Sequence, residues 1–409
     1  MRVSVYVLGA LAAIFVVGCG SSSSSSTTVK PSGLSKRVLI SNQSQNALSM
    51  LNASKDTLFR TISASGPGKM VHSGNFTAIL SASPELQVFD GTTEQISQTI
   101  LLQDVPSDVI LSQDGGIGWV AERNSSIVQV ASTLNGTVAA SIPIPDANKL
   151  VMGPNFTRFL AFSDDPQHAL SNPNAFFVVD AKSNVVTPIT LAPGDQPING
   201  VFNASESVVF IMNCGTACGG TAAPSVVRVD LTNLASPQIS AHIPVTAATV
   251  GLINSSTLYV AGTAVGAPTG TLQAIDTNSL AVAPGITNLP NGFQSLMALT
   301  PNQRLFIGST GCTPGAPDAN NRVTGCLAIA DISAATPPAG GFPVTIPSEP
   351  RFRQNFDVTG LQPISGRTVV YVVQGGEIDF FDSTTSAVSS TITPVDIPGL
   401  AFSVVQIDP

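Results

Sequence analysis

The chain has 409 residues with a formal net charge of −8, and only 10% of its residues are charged. It contains 35 glycines and 30 prolines, a composition typical of many short strands joined by turns. Phosphate binding needs clustered lysine or arginine, and no long basic run exists, so we expect no nucleic-acid partner. The single tryptophan, Trp119, and three tyrosines disfavour a lectin that stacks sugars on aromatic rings.

The N-terminus has the pattern of an export signal. Arg2 precedes an apolar run over residues 3–17, which ends in small residues. The run is shorter than the about 20 apolar residues that a membrane-spanning helix needs. Residues 1–18 are therefore predicted to form a signal peptide.

The stretch Val16-Val17-Gly18-Cys19 resembles the lipobox of bacterial lipoproteins. The resemblance implies that Cys19 is acylated and becomes the first residue of the mature chain. Each buried CH₂ adds roughly 0.8 kcal/mol, so several acyl chains would anchor the protein firmly. By the same resemblance, Gly20, a residue other than aspartate, favours the outer membrane of the cell envelope. The alternative is an ordinary signal peptide cleaved nearby.

The next segment predicts a tether. Six serines, 21–26, and two threonines follow the cysteine, and such residues cannot bury apolar surface. We therefore predict a disordered tether over residues 19–36, with a reach of about 20–25 Å. The folded domain is predicted to span residues 37–409.

The four remaining cysteines lie in two local pairs, and an exported protein can hold them as disulfides. Cys214 and Cys218 lie in "CGTAC", while Cys312 and Cys326 bracket a longer loop. We predict the local pairing among three possible connectivities. A zinc site is the alternative, although the spacing does not match the usual C-x₂-C modules and no histidine lies close in sequence.

An internal repeat organises the rest of the chain, with a period of about 38 to 55 residues. Its most regular part is an apolar strand, found in eight copies: "RVLISN", "TAILSAS", "IGWVAER", "RFLAFSDD", "VVFIMNC", "TLYVAGT", "RLFIGST" and "TVVYVVQG". The strand after it ends in aspartate in six copies: Asp90, Asp180, Asp230, Asp276, Asp331 and Asp382. A serine or threonine follows two or three residues later, so we interpret these aspartates as caps of turns.

Four strands in about 40–45 residues form a propeller blade, and blades must pack on one another in a ring. Seven copies have a strand ahead of the apolar one, but the first copy does not. The C-terminal stretch 401–409 has the missing pattern, so we predict that it completes blade one. The predicted fold is an all-β single propeller of eight blades, each with four antiparallel strands. Seven blades are the alternative if one copy is degenerate.

Two segments, "LYVAGTA…LQAIDTNS" and "AILSAS…LQVFDGTT", resemble the YVTN-type propellers of bacterial surface and periplasmic proteins. The resemblance covers nearly all of residues 37–409 and implies a fold, not an activity. The blades do not each carry a tryptophan, as the docking motifs of quinoprotein dehydrogenases require, so we expect no such cofactor. We predict no cofactor or metal.

Function on a propeller is carried by its loops. The long loops of blades four, five and seven, and the connection 348–356, are predicted to share one face. We predict that a binding surface lies there, with the disulfides stiffening its loops. The candidate residues are Asp164, Asp165, His168, Asp318, Arg322, Glu349, Arg351 and Arg353.

The predicted function is that of a monomeric, membrane-anchored envelope lipoprotein that binds or scaffolds a protein or small ligand. The alternative is a propeller hydrolase of the lactonase type, for which histidine, arginine or carboxylates would have to converge on the channel. The chain has three histidines, at 72, 168 and 242, and none belongs to a recognisable pair or triad. No catalytic residue is predicted.

Overall fold

The copies of the repeat fold into successive four-stranded antiparallel sheets that form a ring. The structure is a computed structural model that describes residues 31–163, 173–334, 337–350, 355–392, 395–397 and 399–408. Each sheet is one blade, and there are eight blades in a β-propeller. The prediction of eight blades is confirmed, and the alternative of seven is wrong.

In the first four blades the strands have the following bounds, given from the innermost strand outward. Blade one comprises β34 (Ala401–Gln406), β1 (Arg37–Asn42), β2 (Ala47–Asn52) and β3 (Thr57–Ser63). Blade two comprises β4 (Pro67–Ser73), β5 (Phe76–Ser81), β6 (Glu85–Asp90) and β7 (Gln95–Leu101). Blade three comprises β8 (Asp108–Leu111), β9 (Ile117–Glu122), β10 (Ile127–Ser132) and β11 (Thr137–Pro143). Blade four comprises β12 (Lys149–Met152), β13 (Arg158–Phe162), β14 (Ala175–Asp180) and β15 (Val186–Thr190).

The other four blades follow the same order. Blade five comprises β16 (Pro197–Phe202), β17 (Val208–Asn213), β18 (Ser225–Asp230) and β19 (Gln238–Pro244). Blade six comprises β20 (Val250–Asn254), β21 (Thr257–Gly262), β22 (Gly270–Asp276) and β23 (Thr287–Leu289). Blade seven comprises β24 (Phe293–Leu299), β25 (Arg304–Thr310), β27 (Leu327–Asp331) and β28 (Val344–Thr345). Blade eight comprises β30 (Val358–Pro363), β31 (Val369–Gln374), β32 (Glu377–Asp382) and β33 (Ala387–Val388).

Outside the blades, β26 (Arg322–Thr324) and β29 (Ser348–Pro350) form a separate two-stranded sheet. Two short 3₁₀ helices, Gln43–Gln45 and Gly215–Cys218, complete the regular structure of the described chain. No helix among these residues is both long and apolar enough to cross a membrane.

The antiparallel order of the strands divides the connections between two faces of the ring. The turns from inner to second strand and from third to outer strand leave at one end, which we call the bottom face. The connections from second to third strand and from each blade to the next leave at the other end, the top face. This topology agrees with the prediction that the long loops and the blade-to-blade connections share one face.

The burial of each strand explains its sequence pattern. The second strands are almost wholly buried, as in β31, because neighbouring blades cover both of their sides. The outer strands, such as β3, alternate between exposed and half-buried residues. The clusters of buried apolar side chains lie at the junctions of adjacent blades, one for each of the eight junctions.

The C-terminal strand closes the ring, as predicted. β34 pairs antiparallel with β1, so that the last part of the chain supplies the inner strand of blade one. At the junction of blades eight and one, Arg367 binds both carboxylate oxygens of Asp56, at 2.5 and 2.7 Å. The hydroxyl of Tyr371 donates to the same carboxylate at 2.5 Å. Burial and then this hydrogen bond raise the pKa of Tyr371.

An ionic network on the bottom face fastens the two ends of the chain together. The guanidinium of Arg37 donates to Asp408 through Nε at 2.9 Å and through Nη2 at 2.6 Å. It also reaches Oε1 of the buried Glu94 in blade two, at 2.8 Å. Arg60 approaches the other oxygen of Glu94 at 2.9 Å. The guanidinium of Arg37 therefore joins blade one to the C-terminal segment and, through the buried carboxylate of Glu94, to blade two.

We expect Asp408→Asn to lower the free energy of unfolding by about 1–3 kcal/mol, because it removes a two-point ionic contact with a shielded arginine. Urea unfolding followed by circular dichroism would measure the change. Asp396→Asn, at an exposed position, is the matched control and should leave the unfolding free energy within about 0.5 kcal/mol of the parent. Equal effects of the two substitutions would contradict a role of Asp408 in closure.

Candidate functional site

The most elaborate part of the top face belongs to blade seven. The segment 309–325 leads from the end of β25 towards β27, and the disulfide Cys312–Cys326 closes it into a loop. This disulfide confirms the predicted pairing. Within this connection β26 pairs with β29, which lies in the connection to blade eight. We call residues 309–325 and 348–350 the platform. In the platform, the backbone pairing of β26 with β29 joins two separate top-face connections, and the disulfide closes the first of them.

Two of the predicted binding residues have described side chains, and both stabilise the platform itself. Arg322 donates to the carbonyl of Ser348 from Nε, at 3.0 Å, and from Nη2. Oδ1 of Asp318 accepts the backbone N–H groups of Asn320 and Arg322 at 2.8 and 2.9 Å. Glu349 lies in β29. The remaining candidates lie outside the described residues: Asp164, Asp165, His168, Arg351 and Arg353.

The top-face loop of blade five contains the second disulfide, Cys214–Cys218, also as predicted. The loop folds back on the preceding connection, since Gly215 donates to the carbonyl of Asp195 at 2.9 Å. Gly215 has a φ of +51°, and a Cβ there would lie 2.2 Å from the carbonyl oxygen of Ala222. Glycine is therefore required at this position. All four cysteines are bonded in pairs, so the zinc alternative and the other two connectivities are wrong.

A groove of about 370 Å³ lies on the top face between the two disulfide loops. Ala217 of the blade-five loop, Val265 of the blade-six loop and Phe293 of β24 line it. Val265 is 68% exposed at this groove. Asn291, also at the groove, holds the platform loop by accepting the N–H of Thr313 at 2.7 Å.

The strand-end aspartates cap turns, which confirms the interpretation made from the sequence. Asp276 accepts the amide of Ser279 at 2.7 Å and the amide of Asn278 at 3.0 Å through Oδ1. The Ser279 amide and hydroxyl and then the Asn278 amide hold the pKa of Asp276 below its usual value. Asp90 and Asp382 accept bonds from Thr92 and Thr384 in the same way. These carboxylates serve the turns of the bottom face.

Among the described residues, no three His, Cys, Asp or Glu side chains are grouped so that they could hold a metal ion.

A buried glutamate lies near the top end of blade three. Glu122 is fully buried at the end of β9, and its Oε2 accepts the N–H of Asp104 at 2.7 Å. Within the described part of the chain, its Oε1 accepts no hydrogen bond. Burial raises the pKa of Glu122 to about 7, against the opposing effect of the Asp104 amide. Sequence reasoning missed this residue, although a charge directly after an apolar strand is a detectable signal.

The centre of the ring holds a cavity of about 620 Å³, bordered by the inner strands of blades one to four, seven and eight. In blades one, two, seven and eight the inner strand carries one extra residue opposite the second strand, a β-bulge. Phe402, Lys69, Ser295 and Thr359 lie at these four bulges, and each borders the cavity. A bulge re-aims a side chain, so these positions determine the chemistry of the channel.

Lys69 and Asp108 form an ion pair between blades two and three at the wall of this channel. The carboxylate of Asp108 is buried; its Oδ1 also accepts the N–H of Val109 at 2.7 Å, and its Oδ2 accepts the N–H of Leu150 in blade four at 2.9 Å. The carboxylate therefore fastens three consecutive inner strands. The side chain of Lys69 remains 46% exposed. Neither residue was a predicted site residue.

The bottom mouth of the channel forms a second cavity of about 580 Å³, bordered by His72 and Asp408 among others. The imidazole of His72 lies 2.9 Å from the hydroxyl of Thr77, through Nδ1. Burial lowers the pKa of His72, an effect that the nearby Asp408 partly offsets. His242, the other described histidine, lies 3.6 Å from the carboxylate of Asp195, away from His72 on an outer strand.

No protein-family model and no curated protein matches the sequence. Solved propellers do match the structure. Dihydro-heme d1 dehydrogenase NirN, in complex with DHE, is 9% identical with a TM-score of 0.63, covering 91% of this chain and 75% of that one. AztD from Citrobacter koseri is 14% identical with a TM-score of 0.59, covering 91% of this chain and 97% of that one.

The C-terminal WD40 domain of Sif2 is 8% identical with a TM-score of 0.58, over 84% of this chain and 91% of that one. At such identities the likeness establishes the propeller fold alone. Membership of the YVTN-type family stays a prediction.

We expect Glu122→Gln to change how stability depends on pH. The folded protein holds the glutamate proton up to about pH 7, whereas the unfolded chain releases it near the ordinary value of 4.5. The native state therefore binds more protons in this window, and the unfolding free energy of the parent should fall as pH rises from 4.5 to 7. Between pH 4.5 and 7 the titration of Glu122 should lower the unfolding free energy by on the order of 3 kcal/mol. Above pH 7 this group should change the unfolding free energy little.

Glu122→Gln should remove this decrease of the unfolding free energy with rising pH, because glutamine does not ionise. Its side-chain oxygen can still accept the hydrogen bond from the Asp104 amide. The measurement is the unfolding free energy at half-unit steps between pH 4.5 and 8. Asp396→Asn should retain the slope of the parent. A variant slope identical to that of the parent would show that Glu122 does not titrate in this window.

Proposed function

We propose that the chain is a lipoprotein of the bacterial cell envelope, anchored through Cys19 in the outer membrane, that binds a protein partner with its top face. The anchor rests on the resemblance of residues 16–19 to a lipobox, with residues 1–18 as signal peptide and 19–36 as tether. The partner role rests on the geometry of the platform and of the groove beside it.

The attachment point of the N-terminal segment supports an orientation of the ring. Ser32 donates to both oxygens of Glu94, from its N–H at 2.8 Å and from its hydroxyl at 2.5 Å. Glu94 lies in a bottom-face turn between β6 and β7, so the chain enters the propeller at the bottom face. A tether over residues 19–31 would reach roughly 17–21 Å from Cys19. In this arrangement the bottom face is turned to the membrane and the top face away from it.

The observation that carries the proposal is the pairing of β26 with β29 above blade seven. The eight blades already bury one another, so the fold does not need a further sheet outside them. The pairing and the disulfide Cys312–Cys326 hold two connections in one conformation. A surface ordered in advance loses less conformational entropy when a partner binds. The groove around Val265 would receive an apolar side chain of that partner.

We expect Cys19→Ser to release the protein from the membrane fraction, because serine has no thiol to acylate. Cell fractionation and the intact mass of the purified chain would measure the change; the parent should carry added acyl mass on Cys19. Ser21→Ala, two residues away, is the control and should stay membrane-bound. A parent chain without acyl mass would contradict the anchor.

We expect Val265→Asp to abolish capture of the partner. Residues 31–409, which contain all eight blades and the closing strand, would be immobilised with oxidised disulfides and incubated with solubilised native envelope. A charge in the groove would have to be desolvated against an apolar side chain, which should weaken binding by at least tenfold (about 1.4 kcal/mol).

The matched control is Leu134→Asp, which places the same charge at an apolar side chain that is 60% exposed on the bottom face. A protein retained by the parent and by Leu134→Asp, but lost with Val265→Asp, would locate the contact in the groove. Equal capture by both variants would overturn a top-face site.

A further inference from the structure

The upper part of the central channel has two chemically different sides. The cationic side is formed by blades two to four, where Lys69, Asp108 and Lys149 border the cavity. The apolar side is formed by blades seven, eight and one, where Phe293 and Phe402 border it. In a ring of eight, the apolar side adjoins the cationic side where blade one meets blade two, and it faces that side across the channel where blade seven stands opposite blade three.

On the cationic side, the lysine rather than the aspartate is presented to the cavity. The carboxylate of Asp108 is buried and already accepts hydrogen bonds from Lys69, Val109 and Leu150. The ammonium of Lys69 has three N–H donors, and Asp108 accounts for one of them. Since this side chain is 46% exposed, the remaining donors can reach a bound anion. Lys149 already has a contact of its own, so Lys69 is the cation assigned to the anion.

On the apolar side, Phe402 is 41% exposed although it lies at a bulge of the closing strand. Phe293, at the start of β24, is half-buried. Two partly exposed aromatic rings at a concave wall offer contact area that a flat surface does not. The whole protein is acidic, with a net charge of −8, so an exposed ammonium at the concave wall of the channel is a local exception.

We propose that this upper channel is a binding site for a small organic anion with an apolar body. The anionic group, a carboxylate or sulfonate, binds the ammonium of Lys69, and the body packs against Phe402 and Phe293. The cavity of about 620 Å³ is within the roughly 300–1,000 Å³ of ligand sites. The channel site shares Phe293 with the groove, but Lys69 and Phe402 border the channel and not the groove.

Two fluorescent probes with the same aromatic body provide the test. 1-Anilinonaphthalene-8-sulfonate carries one negative charge, while N-phenyl-1-naphthylamine has no sulfonate. Titrated into oxidised residues 31–409, the sulfonate should bind saturably and about tenfold more tightly than the neutral probe, as one charged hydrogen bond predicts.

Lys69→Met should weaken binding of the sulfonate about tenfold and leave the neutral probe within about twofold. Lys69→Arg, which keeps the charge, should retain the sulfonate, and Phe402→Ala should weaken both probes. Lys182→Met, at an exposed lysine in a bottom-face turn, is the control and should bind like the parent.

Lys69→Met leaves Asp108 buried without its ammonium, so the variant could fail to fold. The double variant Lys69→Met/Asp108→Asn removes both charges and should show the same selective loss of the sulfonate. Equal affinity of the folded parent and the folded double variant for the sulfonate would overturn the proposal, as would an equal loss of both probes. Partner capture depends on the groove around Val265, so either proposal can fail while the other stands.

Discussion

The structure depends on the pairing of the last strand with the first. Until β34 joins β1, blade one has three strands and the junction of blades eight and one is open. Non-local pairing of this kind needs the ends of the chain to meet before it stabilises anything. The contact of Arg37 with Asp408 and Glu94 adds charge-assisted hydrogen bonds at that seam. Closure thus completes blade one and the junction of blades eight and one.

Closure also creates the central channel. Only a closed ring has a channel, and the side chains at its bulges face one another because the inner strands converge. The bulged Phe402 lies on the closing strand itself, so the apolar side of the channel exists only when the ring is complete. Side chains also fasten neighbouring inner strands: Ser403 accepts the N–H of Met70, and Thr249 donates to the carbonyl of Gln294. These bonds link the inner strands of blades one and two and those of blades six and seven.

The repeat, the blade number and the closing strand could be read from the sequence because each follows from a local pattern repeated eight times. The second strands are buried on both sides, so they are continuous apolar runs such as "VVYVVQ". The turn-capping role of residues such as Asp276 needed only the spacing to the next serine. The disulfide pairs were predictable because both cysteines of each pair lie in one loop.

The candidate site was less predictable because it depends on contacts between blades. Nothing in "KMVHS" and "DVILS" says that Lys69 and Asp108 meet, since that contact requires the relative position of two inner strands. A bulge adds one residue against a partner strand and leaves no signature in composition. Arg322 is predicted from the sequence as a binding residue, and the contact of its guanidinium with β29 could not be foreseen, because this strand forms only when two distant connections pair.

The position of β1 has a mechanical consequence for a protein that is held at its N-terminal end. β1 begins at the bottom face and lies between β2 and β34, with an antiparallel ladder on each side. A force that pulls the chain ahead of β1 along the strand axis loads the hydrogen bonds of both ladders together, in shear. Such bonds must break as a group, whereas a strand at a free edge would be peeled away one pair at a time. In the closed ring, β1 bears this force, and its two paired neighbours, β2 and β34, share it.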